Sequence, residues 1–331
     1  MANPPPKVWA SLITNLDYLP GLLTLAHSLQ QSKTAYPFIA LYTPSFPEDG
    51  IDVLTRRGIA SRLVDTVTPS ADRTYEQDPR FHEAWKKLVV FSLYEYDRIV
   101  LLDSDMLVRR NMDELMDVHL DRGNRLFGAS HACACNPMRK KNYPTHWPSS
   151  KHGAHKANPR MIMGGIYRIP QNCAFTTQHP DPARAQHEPA PSTAGISMLN
   201  SGLLVVSPCA EDFSLVQDAL RDVERVKSYA LADQELISDV FRGRWAPLPY
   251  VYNALKTMRA DGVHSAIWQD EEVKNVHYIF AVKPWHQPGE READEPNRWW
   301  WAVDEDRRRG ERGRGVVDGY SSHGGVDSCS E

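Results

Sequence analysis

Short continuous apolar runs alternate along the first hundred residues with segments in which apolar residues recur at helical spacing. The runs are typical of strands buried in a parallel sheet, and they occupy 8–13, 38–42, 62–64 and 98–102. The segments between them predict amphipathic helices, at 20–31, 51–58 and 82–94. This alternation predicts an α/β domain with a mainly parallel, twisted sheet and flanking helices.

Periodicity is lost over residues 131–197, which are rich in Pro, His, Ala and Lys and predict a long irregular excursion. Within it, residues 150–169 predict a poorly packed insertion. Regular structure resumes with predicted strands at 203–206 and 273–279 and predicted helices at 212–226 and 234–241. The Arg-, Glu- and Gly-rich sequence from 304 predicts a charged, disordered tail at 304–331, which leaves 1–303 as the folded domain.

Composition and charge limit the possible partners. The 331 residues are 41% hydrophobic and 24% charged, with a formal net charge of −4, which is ordinary for a globular enzyme. That charge supplies no general attraction for nucleic acid or an anionic membrane. No apolar stretch approaches the roughly 20 residues of a membrane span. We therefore expect a cytoplasmic protein that associates with neither nucleic acid nor membrane.

The five cysteines are too few and too unevenly spaced for a disulfide framework. Cys133 and Cys135 are separated by one residue rather than the two or more usual in zinc sites, with His131 and His146 nearby. A zinc site there stays open as an alternative. Free thiols in a reducing compartment are the preferred interpretation.

Asp103-Ser104-Asp105 directly follows the predicted buried strand at 98–102. In parallel sheets ligands bind beyond the carboxyl ends of strands, and two carboxylates one residue apart suit a hard divalent cation. The alternative is that these carboxylates only solubilise a strand end. The same pattern recurs at Asp304-Glu305-Asp306, where the charged surroundings indicate solvation alone.

Three later segments carry candidate partners for this carboxylate pair. His277 can join carboxylates on Mn²⁺, and Lys283 can neutralise a leaving diphosphate as a point charge. Asn200-Ser201-Gly202 and Asp233-Gln234 stand at element ends, where small polar side chains can bind sugar hydroxyls. Each segment also has a structural interpretation: a strand histidine with an exposed lysine, a turn, and a helix N-cap.

Taken in order, these segments resemble glycosyltransferase family 8, which includes glycogenin and the plant galactinol synthases. The resemblance is colinear over residues 7–285, and the ordered set is far more specific than any one motif. Its members here are Thr14-Asn15 with Tyr18, Lys87-Leu88, Asp103-Ser104-Asp105, Asn200-Ser201-Gly202, Asp233-Gln234 and His277 with Lys283-Pro284-Trp285. The resemblance implies a GT-A fold, the fold of nucleotide-diphospho-sugar transferases, and a retaining transferase that uses a UDP-sugar and Mn²⁺.

The resemblance also implies a role for each matching residue. The uridine pocket would be lined by Leu12, Thr14, Asn15 and Tyr18. The metal ligands would be Asp103, Asp105 and His277, and Asp103-Ser104-Asp105 would also hold the nucleotide, with Asp103 near the ribose. Lys87 would contact the nucleotide-sugar and Lys283 the diphosphate. The donor sugar would face Asn200, Asp233 and Gln234.

Departures from the family pattern narrow the expected acceptor. Phe280 stands where family members often have a glycine. Ala230 stands where glycogenin has an aspartate, and Ala260 replaces the tyrosine that glycogenin glucosylates on itself. The run at 247–253 and the tryptophans at 299–301 resemble the galactinol-synthase branch, although the tryptophans are equally compatible with plain packing. The resemblance thus implies transfer to a small polyol or saccharide.

Other functions remain to be weighed against this one. A non-catalytic UDP-sugar-binding protein and a glycogenin-like protein glucosyltransferase are the alternatives, and a homodimer is one assembly to consider. A dinucleotide-dependent oxidoreductase is disfavoured, because 11–21 lacks the Gly-rich turn that should follow the first strand.

Overall fold

The strand-forming runs of the sequence lie side by side in one central sheet. The computed structural model describes residues 6–70, 75–76, 78–138, 143, 160–162, 165–167 and 171–321. Its strands are β1 (Lys7–Ile13), β2 (Phe38–Tyr42), β3 (Ala60–Leu63), β4 (Arg98–Leu102), β5 (Met106–Val108), β6 (Phe127–His131), β7 (Arg160–Ile162), β8 (Gly165–Tyr167), β9 (Leu199–Val206), β10 (Ala246–Pro247), β11 (Ala254–Leu255) and β12 (Asn275–His277).

The central sheet has the order β10-β6-β9-β4-β1-β2-β3. Strands β1 to β4 pair in parallel, as do β6 and β10, and only β9 runs antiparallel to its two neighbours. The predicted α/β fold with a mainly parallel sheet is confirmed. Because β9 is reversed, its first residues lie at the same edge as the carboxyl end of β4.

A second, smaller sheet extends this edge. It has the order β11-β12-β5, and β12 is antiparallel to β5 with His277 opposite Met106. The backbone N–H of Tyr278 donates to the carbonyl of Asp105 at 3.0 Å. The chain therefore returns, more than 170 residues later, to lie beside the segment that follows β4.

Helices cover both faces of the central sheet. In the described residues they are α1 (Leu19–Gln31), α2 (Glu48–Arg56), α3 (Phe81–Ala84), α4 (Ala210–Arg221), α5 (Val223–Ser228), α6 (Asp233–Val240) and α7 (Glu295–Gly313). The single helix expected at 82–94 is instead α3 followed by a 3₁₀ helix, Trp85–Ser92. Its apolar side chains still pack into the core as the pattern predicted, because Trp85, Leu88 and Val89 are buried.

The described part of the 131–197 excursion is largely irregular. It contains two short 3₁₀ helices, Ala174–Gln178 and Arg184–Gln186, besides the paired strands β7 and β8. The insertion predicted at 150–169 lies mostly outside the described residues, which include only the six backbone positions of β7 and β8 there.

The prediction of a disordered tail from residue 304 is wrong for the described residues, because α7 continues through 304 to Gly313. Asp304 was interpreted as a solvated carboxylate, but its side chain is 0% exposed. It accepts hydrogen bonds from Arg307 at 2.6 Å, Arg308 at 2.6 Å and Thr24 of α1 at 2.8 Å. The many charged residues of this segment therefore form a buried network of ion pairs, which their composition alone does not distinguish from a solvated tail.

Two of the three tryptophans near the start of α7 are buried in the protein. Trp300 and Trp301 are 0% and 5% exposed and belong to one apolar cluster with Tyr250 and Tyr278. The packing interpretation of these two residues is confirmed, and α7 is anchored by apolar contacts as well as by its ion pairs.

We predict that Asp304→Ala lowers the free energy of unfolding by about 3–5 kcal/mol, because it removes the buried carboxylate shared by Arg307 and Arg308, of which Arg307 keeps Glu311 at 2.7 Å. The matched control is Asp306→Ala in the same sequence motif. Asp306 is 47% exposed and pairs with His27 at 3.0 Å, so its loss should cost no more than about 1 kcal/mol. Urea unfolding of both variants measures the difference, and equal effects would contradict the buried network.

Candidate active site

A pocket opens where the ends of β1 and β4 meet the start of β9, the end of β12 and the start of α6. Nearly all residues singled out in the sequence line it: Leu12, Thr14, Asn15, Tyr18, Lys87, Asp103, Ser104, Asp105, Asn200, Asp233, Gln234 and His277. Lys283 lies behind Asp105 rather than in this lining. Segments up to 265 residues apart in the chain are thus gathered by the sheet topology.

The two aspartates and His277 form one compact group. The His277 Nε2 atom lies 3.3 Å from Asp105 Oδ1 and 3.7 Å from Asp103 Oδ2. Asp105 and His277 are almost fully buried, whereas the Asp103 side chain is 25% exposed toward the pocket. These are the three donor atoms that a divalent cation would need.

A chain of hydrogen bonds sets the tautomer of His277. The side-chain oxygen of Asn200 accepts from the backbone N–H of Gly202 at 3.1 Å and from the Asn253 amide at 2.8 Å. The Asn253 oxygen is therefore an acceptor, and it faces His277 Nδ1 at 2.9 Å. His277 must donate from Nδ1, which leaves the lone pair of Nε2 directed at the carboxylates.

The donor set fits a divalent cation. Asp105 Oδ1 is buried and has no hydrogen-bond partner among the described residues. His277 Nε2 lies 3.3 Å from this oxygen, and in the neutral imidazole it carries the lone pair, because Nδ1 holds the proton that Asn253 accepts. Two buried acceptors that face each other are costly unless something positive lies between them. Mixed carboxylate and imidazole ligands are suited to Mn²⁺ and related ions.

Lys283 holds Asp105 from the opposite side. Its Nζ donates to Asp105 Oδ2 at 2.5 Å and to the carbonyl of Tyr278 at 2.6 Å, and the side chain is 0% exposed. Burial raises the pKa of Asp105, but the Lys283 ammonium outweighs burial and holds that pKa well below its usual range. Asp105 is therefore a permanent negative charge at the pocket floor.

Lys87 forms the other charged contact of the site. Its ammonium lies 3.1 Å from Asp103 and 3.5 Å from Asp233. Burial raises the pKa of Asp233 above its usual value, although Lys87 opposes the shift. The Lys87 ammonium thus links Asp103 to Asp233, the first residue of α6.

The start of α6 is reached through an unusual backbone conformation. Ala232, which precedes the helix, has φ 47° and ψ −123°, a region that costs a non-glycine residue about 1–3 kcal/mol. This turn directs both Asp233 and Gln234 to the pocket. The Gln234 oxygen accepts from the Asn200 amide at 3.1 Å, which leaves the Gln234 amide nitrogen without a partner in the described part of the chain.

Comparison with known proteins now assigns the family. The model of glycosyl transferase family 8 matches residues 10–289. The chain belongs to this family. Galactinol synthase 2 of Arabidopsis thaliana is 27% identical over 83% of this chain and 72% of its own length. Galactinol synthase 2 of Solanum lycopersicum is 25% identical over 92% of this chain and 82% of its own.

Solved structures establish the fold as that of the GT-A glycosyltransferases. The galactosyltransferase LgtC, in complex with donor and acceptor sugar analogs, aligns with a TM-score of 0.52 and 17% identity over 94% of this chain and 100% of its own. The bifunctional glycosyltransferase WbbM, in its apo structure, aligns with a TM-score of 0.56 and 17% identity over 91% and 50%. The predicted family and fold are confirmed. Within the described residues, no helix is long and apolar enough to cross a membrane.

Sequence reasoning missed several residues of this family 8 site. Asn253 orients His277, yet it attracted attention only as part of a run at 247–253, because an isolated asparagine gives no motif. Arg80 lines the pocket, pairs with Asp78 at 2.6 Å and donates to the Tyr18 hydroxyl at 3.3 Å. Its only sequence signal was the general affinity of arginine for phosphate, which does not single out one of many arginines.

Gly202 is required by the close approach of β9 to the imidazole. A Cβ on this residue would lie 2.2 Å from His277 Cε1. We predict that Gly202→Ala displaces His277, lowers the free energy of unfolding by about 1–3 kcal/mol and removes any increase in Tm produced by Mn²⁺. The control is Gly289→Ala, which has open space around it. Thermal unfolding with and without Mn²⁺ tests both, and an undiminished Mn²⁺ effect in Gly202→Ala would contradict the assignment.

Proposed function

We propose that this glycosyltransferase is a cation-dependent retaining hexosyltransferase that moves a sugar from a UDP-sugar to a small polyol or saccharide. One observation carries the proposal: Asp103, Asp105 and His277 converge, with Asp105 Oδ1 unpartnered and the Nε2 lone pair facing it. A preference for galactose and inositol is supported by the similarity to galactinol synthases. We also propose that the protein is cytoplasmic.

The nucleotide would bind along the carboxyl end of β1. Leu12, Thr14, Asn15 and Tyr18 are proposed to line the uridine pocket, since all four face the cavity beside the aspartate pair. Asp103 keeps one partly exposed carboxylate toward this side, where it can accept from a ribose hydroxyl. Lys87 is placed to contact the nucleotide-sugar while it pairs with Asp103.

Asp103, Asp105 and His277 would hold Mn²⁺. When bound, a divalent cation of this kind neutralises charge on the diphosphate and so favours its departure. The protein's own contribution is to keep the ligands ready: Asp105 ionised by Lys283, and His277 oriented by Asn253. Lys283 acts through Asp105 in this arrangement, and its direct contact with the diphosphate stays a prediction.

The donor sugar would lie against the start of α6 and the start of β9. Asn200 and Gln234 are hydrogen-bonded to each other and can bind its hydroxyls. Asp233 is held by Lys87 and can stabilise positive charge that develops on the sugar. Retention would follow if the acceptor hydroxyl attacks from the face that the diphosphate leaves, since this scheme needs no covalent carboxylate intermediate.

The proposal is tested with purified protein, UDP-galactose, Mn²⁺ and myo-inositol. We expect release of UDP and a disaccharide-sized product. Hexose added to the protein itself, seen by intact-mass spectrometry without a small product, would instead indicate a glycogenin-like activity. Binding of UDP-galactose without any product from a panel of polyols and saccharides would indicate a non-catalytic binder.

Asp103→Asn should lower turnover by at least roughly 10²-fold, the size expected for one electrostatic contact in a transition state. Its fold should survive, since Lys87 keeps Asp233 as a partner. Asp306→Asn is the control for the same substitution in the other Asp-x-Asp sequence, and it should leave turnover unchanged. Steady-state rates at saturating Mn²⁺ decide the matter, and near-normal turnover of Asp103→Asn would refute the metal assignment.

Lys283→Ala should lower turnover by roughly 10²-fold and also destabilise the fold, because Asp105 loses its buried counter-charge. Lys256→Ala is the control, since Lys256 forms a comparable but more exposed pair with Asp294 at 2.8 Å. Turnover at saturating Mn²⁺ and urea unfolding are both measured. A weakened fold with unchanged turnover would show that Lys283 is structural only.

A further inference from the structure

Three thiols and an imidazole converge in the core outside the carboxylate site. The Sγ atoms of Cys133, Cys135 and Cys173 and one ring nitrogen of His264 all lie within 4.8 Å of one another, and all four residues are buried. We propose that these residues form a structural zinc site. The proposal is independent of the transferase activity.

The distances match a tetrahedral zinc ion. With Zn–S bonds of about 2.3 Å and Zn–N bonds of about 2.0–2.1 Å, tetrahedral ligands lie about 3.6 Å apart for S···N pairs. His264 Nε2 lies 3.3 Å from Cys135 Sγ and 3.4 Å from Cys173 Sγ. Both S···N distances are thus within about 0.3 Å of that spacing, and all the other pairs of ligand atoms lie within 4.8 Å. Three thiolates with one imidazole are a common ligand set for structural zinc.

A second histidine supports the ligand geometry of His264. His179 Nε2 lies 2.9 Å from His264 Nδ1. When Nδ1 donates this hydrogen bond, the lone pair of His264 is on Nε2, the nitrogen that faces the two thiols. Ligand histidines usually carry such a partner on the other ring nitrogen, which fixes both tautomer and ring orientation.

Simple packing accounts less well for this cluster. An isolated buried cysteine usually behaves as a small apolar residue. Cys209, which lies apart from this group, has a sulfur that instead caps the start of α4. The other three buried thiols instead surround an imidazole that is 0% exposed. No carboxylate belongs to this group of four, so its chemistry is soft and differs from that of the Asp103, Asp105 and His277 group.

The ligands come from three separate parts of the chain. Cys133 and Cys135 follow β6 at the entry to the 131–197 excursion, and Cys173 precedes its first 3₁₀ helix. His264 lies beyond β11 and directly follows Val263, a member of the apolar cluster that also holds the three cysteines and Trp300. Cys133 itself lines the active-site pocket. A zinc ion here would tie both sides of the excursion to the carboxy-terminal core and hold one wall of the pocket.

The test begins with the full-length protein purified without chelator. We expect about one zinc per chain by elemental analysis. Growth in cobalt should give the strong near-ultraviolet thiolate-to-cobalt absorption together with the visible bands of a tetrahedral ion. Such thiolate absorption cannot come from the Asp103, Asp105 and His277 group, so the two sites are distinguished in one spectrum.

Variants assign the ligands. Cys173→Ser and His264→Ala should reduce the zinc content by more than half, whereas Cys209→Ser and Asp103→Asn should retain it. If the ligand variants do not fold, the wild-type cobalt spectrum and the protection of three thiols from a thiol reagent, lost on chelation, still decide. Absence of zinc and of cobalt–thiolate bands, or the mass deficit of a disulfide among these cysteines, would overturn the proposal.

Discussion

The buried charge of Asp105 is the constraint on which the rest of the site depends. A carboxylate at this depth is tolerated only because Lys283 neutralises one oxygen at 2.5 Å. The other oxygen is left to face the His277 imidazole at 3.3 Å. The buried Lys283 can therefore keep Asp105 ionised through one oxygen while the other oxygen stays available to the proposed cation.

The single reversed strand of the central sheet makes this arrangement possible. Because β9 is antiparallel to β4, the Asn200-Ser201-Gly202 segment begins where Asp103 follows β4, and Asp103 N–H donates to the Gly202 carbonyl at 2.8 Å. The absence of a side chain on Gly202 admits His277, and Asn200 fixes the orientation of that histidine through Asn253. The turn interpretation of this segment is wrong, because Asn200, Ser201 and Gly202 lie within strand β9 (Leu199–Val206).

Local pattern predicted strands β1 to β4, β9 and β12, most helices and the residues gathered at the pocket, because buried strands and strand-end carboxylates leave short-range signals. It did not predict β5 or the central-sheet strand β6. It failed where partners are distant in sequence. Asp304 looked like part of a solvated tail, because the arginines that pair with it lie within one helical turn, whereas Thr24, its buried partner in α1, lies 280 residues away. His264, likewise, stands 129 residues from Cys135, whereas the histidines near Cys133 in sequence drew attention instead.

The two groups of side chains proposed to bind metal ions differ in a way that bears on selectivity. Asp103, Asp105 and His277 offer mainly oxygen and have one ligand open to the pocket, so an exchangeable hard cation suits them. Cys133, Cys135, Cys173 and His264 offer sulfur and nitrogen, are closed off from solvent and lack room for a water ligand in a tetrahedral set. Ligand softness and burial thus distinguish the cation proposed to take part in the reaction from the zinc ion proposed to stabilise the pocket wall. Selectivity between the two ions then follows from residue type alone, because one site is built from carboxylates with an imidazole and the other from thiols with an imidazole.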